Sequence, residues 1–275
     1  MRCASDCKNL IVCIRAVPAT DGRGLYAALV ATPGLPLPLI TMTIAVEKPK
    51  TDRATATSDS YPAHAFSAPE IAAVYRAIYE RRDMRHFSGG VVGDATLQRL
   101  LRAAHHGPSV GLMQPWRFIR IRSLAVRQSI HAIVEQERLL TAKALRERED
   151  EFMKLKVQGV LDAAEVLVVA MPPGREHHIF GRRTLPQMDL ASSACAIQNL
   201  WLAARAEGLG MGWVSMFCPQ QLSALLHMPV GSHAIAVLCL GPVEMFYEQP
   251  MLQAEKWALR AELADMVFDD RWPAA

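Results

Sequence analysis

The sequence predicts an α+β sandwich built around one buried helix. Residues 188–207 are apolar on nearly every face, with alanine, serine and cysteine interleaved, which is typical of a helix that is covered on all sides. Residues 166–170 are wholly apolar and are soon followed by two prolines, which indicates a strand buried on both faces. Because helical and strand patterns mix along the chain, we expect helices packed on a central mixed sheet.

The first helix is predicted to begin at Ser67. Ser67-Ala-Pro-Glu70 is a capping-box pattern, in which the serine side chain and the glutamate each satisfy a free backbone donor. The apolar residues that follow recur at helical spacing and predict one buried face, formed by Ile71, Val74, Tyr75 and Ile78.

A second helix is predicted after the turn at Gly89-Gly90. Asp94 stands where it can cap this helix, and Gly107-Pro108 ends it because proline cannot continue the hydrogen-bond ladder. The residues expected to face the core are Leu97, Leu100, Leu101 and Ala104.

The rest of the pattern predicts strands at residues 117–121, 211–217 and 234–240, and a short helix at 220–226. Gly208 is the expected stop of the central helix. The charged helical stretch from residue 124 to about 150 is predicted to be a solvated, mobile flap rather than core. The tail from Met245 onward carries little patterned apolar surface, so we expect it to reach over a neighbouring subunit.

Residues 1–66 are predicted to be an irregular or disordered leader before a folded domain at 67–275. Residues 24–46 carry no charge, but Pro33, Pro36 and Pro38 interrupt this run, and a lone helix in lipid could not satisfy the freed backbone groups. No membrane span and no signal peptide are therefore expected. Met42 is an alternative start of the chain.

Charge and cysteine content exclude several classes of protein. The formal net charge is +3 and no basic run resembles a phosphate-tracking stripe, so no nucleic-acid partner is expected. The six cysteines match neither a disulfide framework nor a zinc or iron–sulfur spacing, which favours a reducing cytoplasm. The adjacent pairs His105-His106 and His177-His178 lack the spacing that lets two imidazoles share an ion, so no metal site is expected.

Three arginines at the end of the first predicted helix form a candidate phosphate site. Arg81, Arg82 and Arg85 lie within five positions, and guanidinium groups bind phosphate through paired hydrogen bonds. The alternative is a solvated basic helix end, favoured by the helix dipole. Asp83 either neutralises this cluster or points its carboxylate at a bound ligand.

The loop at residues 103–117 is a candidate ligand platform. Pro108, Ser109 and Gly111 allow the backbone to approach a flat ring, and the serine can hydrogen-bond a heterocycle. The alternative is an ordinary turn between a helix and a strand. Gly210 and Gly212 precede a strand instead of joining a strand to a helix, so they do not form a dinucleotide fingerprint.

Four blocks of the sequence resemble the nitroreductase-like flavoproteins. They are Arg81-Arg82-Asp83-Met84-Arg85, AAHHGPSVGLMQPWRF, PQMDLASSACAIQNLWLAARAEGLGMGWVSMF and LCLGPVE. The resemblance covers about residues 67–272. Within the family, the blocks most resemble the branch that makes 5,6-dimethylbenzimidazole, the lower ligand of cobalamin. Ordinary members of the family typically carry serine where this chain has Asp83.

This resemblance implies an oxygen-dependent fragmentation of reduced FMN. FMN would be the substrate and dioxygen the co-substrate, the products would be 5,6-dimethylbenzimidazole and D-erythrose 4-phosphate, and C1′ of the ribityl chain would become C2 of the benzimidazole. The protein would be a cytoplasmic homodimer with two shared FMN sites, without a metal, and supplied with reduced FMN by a separate NAD(P)H flavin reductase.

The resemblance also assigns roles to residues. Asp83 and Ser215 would be catalytic. Residues 124–160 would form a lid over the flavin, and residues 245–275 a C-terminal arm. The phosphate would be held by Arg81, Arg82 and Arg260 with Arg85 beside them; the ring and ribityl chain would be lined by Pro108, Ser109, Gly111, Met188 and Gly212.

Two alternatives stay open at this point. One is a conventional nitroreductase or quinone reductase, which keeps its FMN and passes hydride from NAD(P)H. The other is a flavin-binding protein without turnover. The fate of FMN distinguishes all three.

Overall fold

The computed structural model describes residues 15–17, 25–27 and 63–272, and the chain divides into two units, 1–63 and 64–275. In the first unit, β1 (Arg15–Val17) pairs with β2 (Leu25–Ala27) as an antiparallel ladder. Most of the predicted leader, Met42 included, lies outside the described residues. Everything below concerns the second unit.

A four-stranded sheet forms the centre of this unit. Its strands are β3 (Arg117–Arg120), β4 (Glu165–Met171), β5 (Gly210–Val214) and β6 (His233–Gly241), in the order β3-β4-β6-β5. All three ladders are antiparallel, so the predicted mixed sheet is wrong. A continuous apolar run shows that a strand is buried on both faces. Helices bury both faces of this antiparallel sheet, just as they do in parallel sheets.

Helices cover both faces of the sheet and give three layers. On one face, α2 (Asp94–His105) and α5 (Met188–Ala206) pack against side chains such as Leu167 and Leu238. On the other face, α3 (Leu124–Ala144) and α6 (Pro219–Leu225) pack against alternate residues of the same strands. The predicted α+β sandwich around a central helix is confirmed, and Gly208, with φ of 76°, follows the end of α5.

The first helix, α1 (Ala68–Glu80), has the predicted start but not the predicted buried face. The Ser67 backbone N–H donates to Glu70 Oε2 at 2.9 Å, which completes the capping box. However, Val74, Tyr75 and Ile78 are 49%, 51% and 41% exposed, so the described part of the chain does not cover the apolar face of α1. Helical periodicity identifies an apolar face that must be buried, but it does not show which part of this chain or which partner packs against that face.

The predicted cap of α2 is also corrected. Gly93 occupies the N-cap position, and Asp94 is the first helical residue. The Asp94 carboxylate instead accepts a hydrogen bond from Arg120 Nη1 at 2.8 Å. A charged partner on β3 therefore competes successfully for a side chain that sequence alone assigns to the helix end.

The predicted flap is solvated on its outer faces, as expected, but one stripe of it packs into the core. Ile130 and Val134 on α3 are fully buried, and Phe152 on α4 (Glu149–Lys154) packs with Leu155 in a smaller cluster. Charged residues dominate the composition of this region because they fill its outer faces, and they hide a narrow apolar stripe.

The C-terminal segment packs on its own chain as far as Trp257. The Arg205 guanidinium lies 4.1 Å from the centre of the Phe246 ring, and the Trp257 and Phe152 rings lie 6.1 Å apart, flanking α7 (Met251–Ala254). The expected contact of this part with a neighbouring subunit stays a prediction. Beyond it, Leu259 and Leu263 are exposed. Among the helices of the described ranges, none combines the length and apolar character needed to cross a membrane.

Candidate functional site

The Arg81–Arg85 segment lies along the free edge of the sheet, beside β5. Asp83 forms an isolated parallel bridge with Met211, and the Met84 N–H donates to the Met211 carbonyl at 2.9 Å. The Trp201 indole N–H donates to the Arg82 carbonyl at 3.1 Å. Contacts with β5 and α5 thus fix the backbone that carries the candidate catalytic aspartate.

The Asp83 carboxylate is held at two points. The Trp213 backbone N–H donates to Oδ1 at 3.0 Å, and Arg85 Nη2 donates to Oδ2. The same Arg85 nitrogen donates to the Trp213 carbonyl at 3.0 Å. Burial raises the pKa of Asp83, whereas Arg85, the Trp213 N–H and Arg81 lower it in part. The result is a fixed carboxylate with a raised pKa, as suits proton transfer.

Gly212 makes this arrangement sterically possible. A Cβ at Gly212 would overlap the Met84 carbonyl oxygen and would crowd Asp83 Oδ1 and Arg85 Nη1 at 3.4 Å. The sequence assigned Gly212 to cofactor binding, and the structure gives it a packing role against the Asp83 segment.

Asp83, Arg85 and Ser215 line one pocket of about 210 Å³. Ser215 follows directly after β5 and is exposed. The remaining walls are mostly apolar and come from three separate parts of the chain: Phe152, Leu155, Val157, Trp213, Val214, Met216, Met251, Leu252 and Trp257. A carboxylate and a hydroxyl thus line a small pocket whose other walls are mostly apolar.

Arg81, Arg82 and Arg260 form a positively charged cluster next to this pocket. The Arg81 guanidinium lies 4.6 Å from the centre of the Trp201 ring. Burial lowers the pKa of Arg81, Asp83 opposes this, and the like charges of Arg82 and Arg260 lower it further. Arg260 is thus near enough to Arg81 for its charge to act on it, although it is far away in sequence. The role of these arginines as phosphate ligands stays a prediction.

Arg82 is engaged largely by its own chain. Nη1 donates to the Tyr79 and Arg81 carbonyls at 2.8 and 2.9 Å, and Nη2 donates to the Glu248 carbonyl at 2.7 Å. Its Nε is buried and has no partner in the described part of the chain.

The platform loop forms a second cluster at the start of α5. The Val110 N–H donates to Ser192 Oγ at 3.1 Å, and Ser192 Oγ donates to the Met188 carbonyl at 2.6 Å. The Ser109 hydroxyl accepts from the Gln114 N–H at 3.1 Å, and Gly111 has φ of 53°. Pro108, Ser109, Gly111 and Met188 are thereby brought together, as expected.

The two clusters lie at opposite ends of α5. Met188 is its first residue and Trp201, under Arg81, lies near its other end, about 20 Å away at a rise of 1.5 Å per residue. The residues that line the Asp83 pocket include none from the platform loop. A single chain therefore presents two separated halves of a site.

Sequence reasoning missed Tyr247. Its hydroxyl accepts from the Arg85 backbone N–H at 3.2 Å and lies 2.7 Å from His86 Nδ1. It stands 162 positions from Arg85 in a segment without regular pattern, so no local signal in the sequence pointed to it. Within residues 63–272 and the two short N-terminal strands, no group of three or more histidine, cysteine or acidic residues could hold a metal ion.

Comparisons with known proteins show which family this sequence resembles. The profile described as "Nitroreductase family" matches residues 78–242. A 5,6-dimethylbenzimidazole synthase of Rhodospirillum rubrum is 39% identical over 184 residues, which are 66% of this chain and 86% of that protein. One from Rhodobacter capsulatus is 37% identical over 180 residues, 64% of this chain and 86% of that protein.

Among solved structures, an oxidised iodotyrosine deiodinase bound to FMN and 3-iodo-L-tyrosine aligns with a TM-score of 0.57. It is 19% identical, and the alignment covers 72% of this chain and all of that one. At this identity the likeness concerns the fold alone. Together with the match of the family profile over more than half of the chain, these relatives identify the chain as a member of the nitroreductase family, in the branch of the 5,6-dimethylbenzimidazole synthases.

Proposed function

We propose that this chain is a 5,6-dimethylbenzimidazole synthase that consumes reduced FMN and dioxygen and releases 5,6-dimethylbenzimidazole and D-erythrose 4-phosphate. The observation that carries the proposal is the Asp83 carboxylate, held by Trp213 and Arg85 in a small pocket that Ser215 also lines. The two curated relatives named above carry this activity in their names.

The residues present fit FMN. Its phosphate is a hydrogen-bond acceptor, and the arginines offer a buried donor without a partner in the described part of the chain, Arg82 Nε. Arg81 and Arg260 add positive charge. The loop with Pro108 and Ser109 would lie against the ring, with Met188 behind it.

The chain's own residues would divide the work as follows. Asp83 would move protons from the ribityl carbon and the flavin nitrogen, because its raised pKa makes the protonated form more accessible than in a free carboxyl. Ser215 would orient the ribityl hydroxyls. Phe152, Leu155 and Trp257 would exclude water from the reacting end of the substrate.

Two copies of the chain would share each FMN. The arginine cluster and the platform loop lie about 20 Å apart along α5, and no residue of the platform loop lines the Asp83 pocket, which supports contributions from two chains to each site. Members of the family are typically dimeric. The uncovered apolar face of α1 is the surface we assign to the second copy.

Replacing Ile78 by aspartate is expected to weaken the dimer at least about 100-fold, because an unpaired carboxylate would be buried at the interface. Sedimentation velocity across a concentration series measures the association. FMN binding should fall with dimer content. The matched control is Leu124→Asp at an exposed first turn of α3, which should leave the dimer unchanged. Unaltered association of the Ile78 variant would rule out this interface.

We also propose a separate NAD(P)H flavin reductase as the source of reduced FMN and a cytoplasmic location. Cys195, Cys218 and Cys239, the cysteines of the described ranges, are free thiols, which supports a reducing compartment.

The experiment that tests the function follows the flavin. Pre-reduced FMN and the purified protein are mixed in air, and the products are separated by chromatography and identified by mass. We expect a benzimidazole to form as FMN disappears. A conventional nitroreductase would return FMN intact and oxidise NAD(P)H with a nitroaromatic or quinone; a non-catalytic binder would do neither.

A further inference from the structure

The Arg85 guanidinium binds groups of its own chain instead of being free to bind a phosphate. Its side chain is only 10% exposed, and Nη2 donates both to Asp83 Oδ2 and to the Trp213 carbonyl. Its backbone N–H donates to the Tyr247 hydroxyl. Arg81, whose guanidinium lies on the Trp201 ring, is the arginine whose pKa Arg82 and Arg260 lower.

We propose that Arg85 is the positioning residue for Asp83: its guanidinium, anchored on the Trp213 carbonyl, holds the Asp83 carboxylate in one orientation toward the pocket that Ser215 lines. The inference deepens the proposed function and rests on it for the role of Asp83. It replaces the phosphate role that the arginine-rich motif suggests for Arg85.

Within residues 63–272, Arg85 is the side chain that hydrogen-bonds the Asp83 carboxylate. The Trp213 N–H fixes Oδ1 only, so without Arg85 the second oxygen would have no donor among its contacts in the structure. A planar guanidinium donates two hydrogens of one amino group in fixed directions, here to a carboxylate and to a carbonyl. Lysine keeps the charge and loses this planarity.

The charges that face Asp83 are few. Arg85 has the largest effect, and Arg81 a smaller one. Cys239 on the adjacent β6 is fully buried, which raises the pKa of its thiol to about 11, so it stays neutral near pH 7. The other residues of the pocket carry no charge. Loss of Arg85 removes the largest influence that lowers the pKa of Asp83, so this pKa should rise.

The test compares Arg85→Met and Arg85→Lys with the parent protein. The Asp83 carboxyl is titrated by carbon NMR in protein labelled at aspartate, with its signal assigned from the Asp83→Asn variant. We expect the titration of Asp83 to move to higher pH in Arg85→Met and to lie between the two in Arg85→Lys. Arg99→Met, which removes a surface ion pair with Glu207, is the matched control and should leave the titration in place.

Kinetics with reduced FMN supply the second readout. We expect kcat to fall at least about 10-fold in Arg85→Met, with partial recovery in Arg85→Lys and little change in KM, and the pH profile of kcat should move upward with Asp83. An unshifted Asp83 titration would overturn the proposal, as would a raised KM at unchanged kcat, which is the result for a phosphate ligand.

The two hypotheses fail separately. If the parent protein forms no benzimidazole, the proposed function fails, while the titration still reports whether Arg85 controls Asp83. Should Arg85→Met not fold, Arg85→Gln keeps a donor without the charge and is subject to the same two criteria.

Discussion

Replacing Asp83 by asparagine is expected to lower the rate of 5,6-dimethylbenzimidazole formation at least about 100-fold, because general acid–base groups typically contribute a factor of 10² or more. Asparagine keeps the size of the side chain and can still accept from the Trp213 N–H, so the segment along β5 should stay in place. Reduced FMN should therefore still bind. Product formation by chromatography and FMN binding by fluorescence quenching measure the two effects.

The matched control for this variant is Asp94→Asn, which weakens a surface ion pair with Arg120; neither residue lines the pocket. It should form product at the parental rate. Full activity of the Asp83 variant would remove Asp83 from the reaction, and loss of FMN binding would make its role structural.

Replacing Gly212 by alanine is expected to destabilise the folded protein by about 3 kcal/mol or more, since the added Cβ overlaps the Met84 carbonyl oxygen and a backbone cannot swing away as a side chain does. For a domain of this size the Tm should fall by roughly 6–12 °C. Any folded fraction should form little product, because the clash pushes the Asp83 segment off β5. Thermal unfolding followed by circular dichroism measures the change.

Gly93→Ser is the control, because a Cβ at Gly93 meets nothing within 4 Å and serine is a favoured helix cap. Its Tm should be within a few degrees of the parent. A Gly212 variant as stable and active as the parent would contradict the packing described for Asp83 and Met84.

Local sequence patterns correctly predicted the elements whose positions depend on nearby residues. The apolar periodicity of α5, the apolar run of β4 and the capping box at Ser67 each record a local requirement that the fold then meets. The same patterns do not show in which direction neighbouring strands run, so the antiparallel pairing of the sheet could not be predicted from them.

The errors have a common physical cause, which is that cover and charge partners come from distant parts of the chain or from another copy. The face of α1 is apolar yet exposed, and the stripe of α3 is buried although charged residues surround it in sequence. Arg85 was grouped with Arg81 by proximity in sequence, but its guanidinium donates to Asp83 and to the Trp213 carbonyl, a partner 128 positions away. Gly212 and Tyr247 act through contacts more than a hundred positions away.

The central claim, that the flavin itself is the substrate, is tested most directly with FMN carrying ¹³C at C1′ of the ribityl chain. The labelled FMN is reduced, mixed with the protein in air, and the products are analysed by mass spectrometry and carbon NMR. The account predicts one labelled benzimidazole for each FMN consumed, with the label at C2. Quantitative recovery of labelled, reoxidised FMN would contradict it.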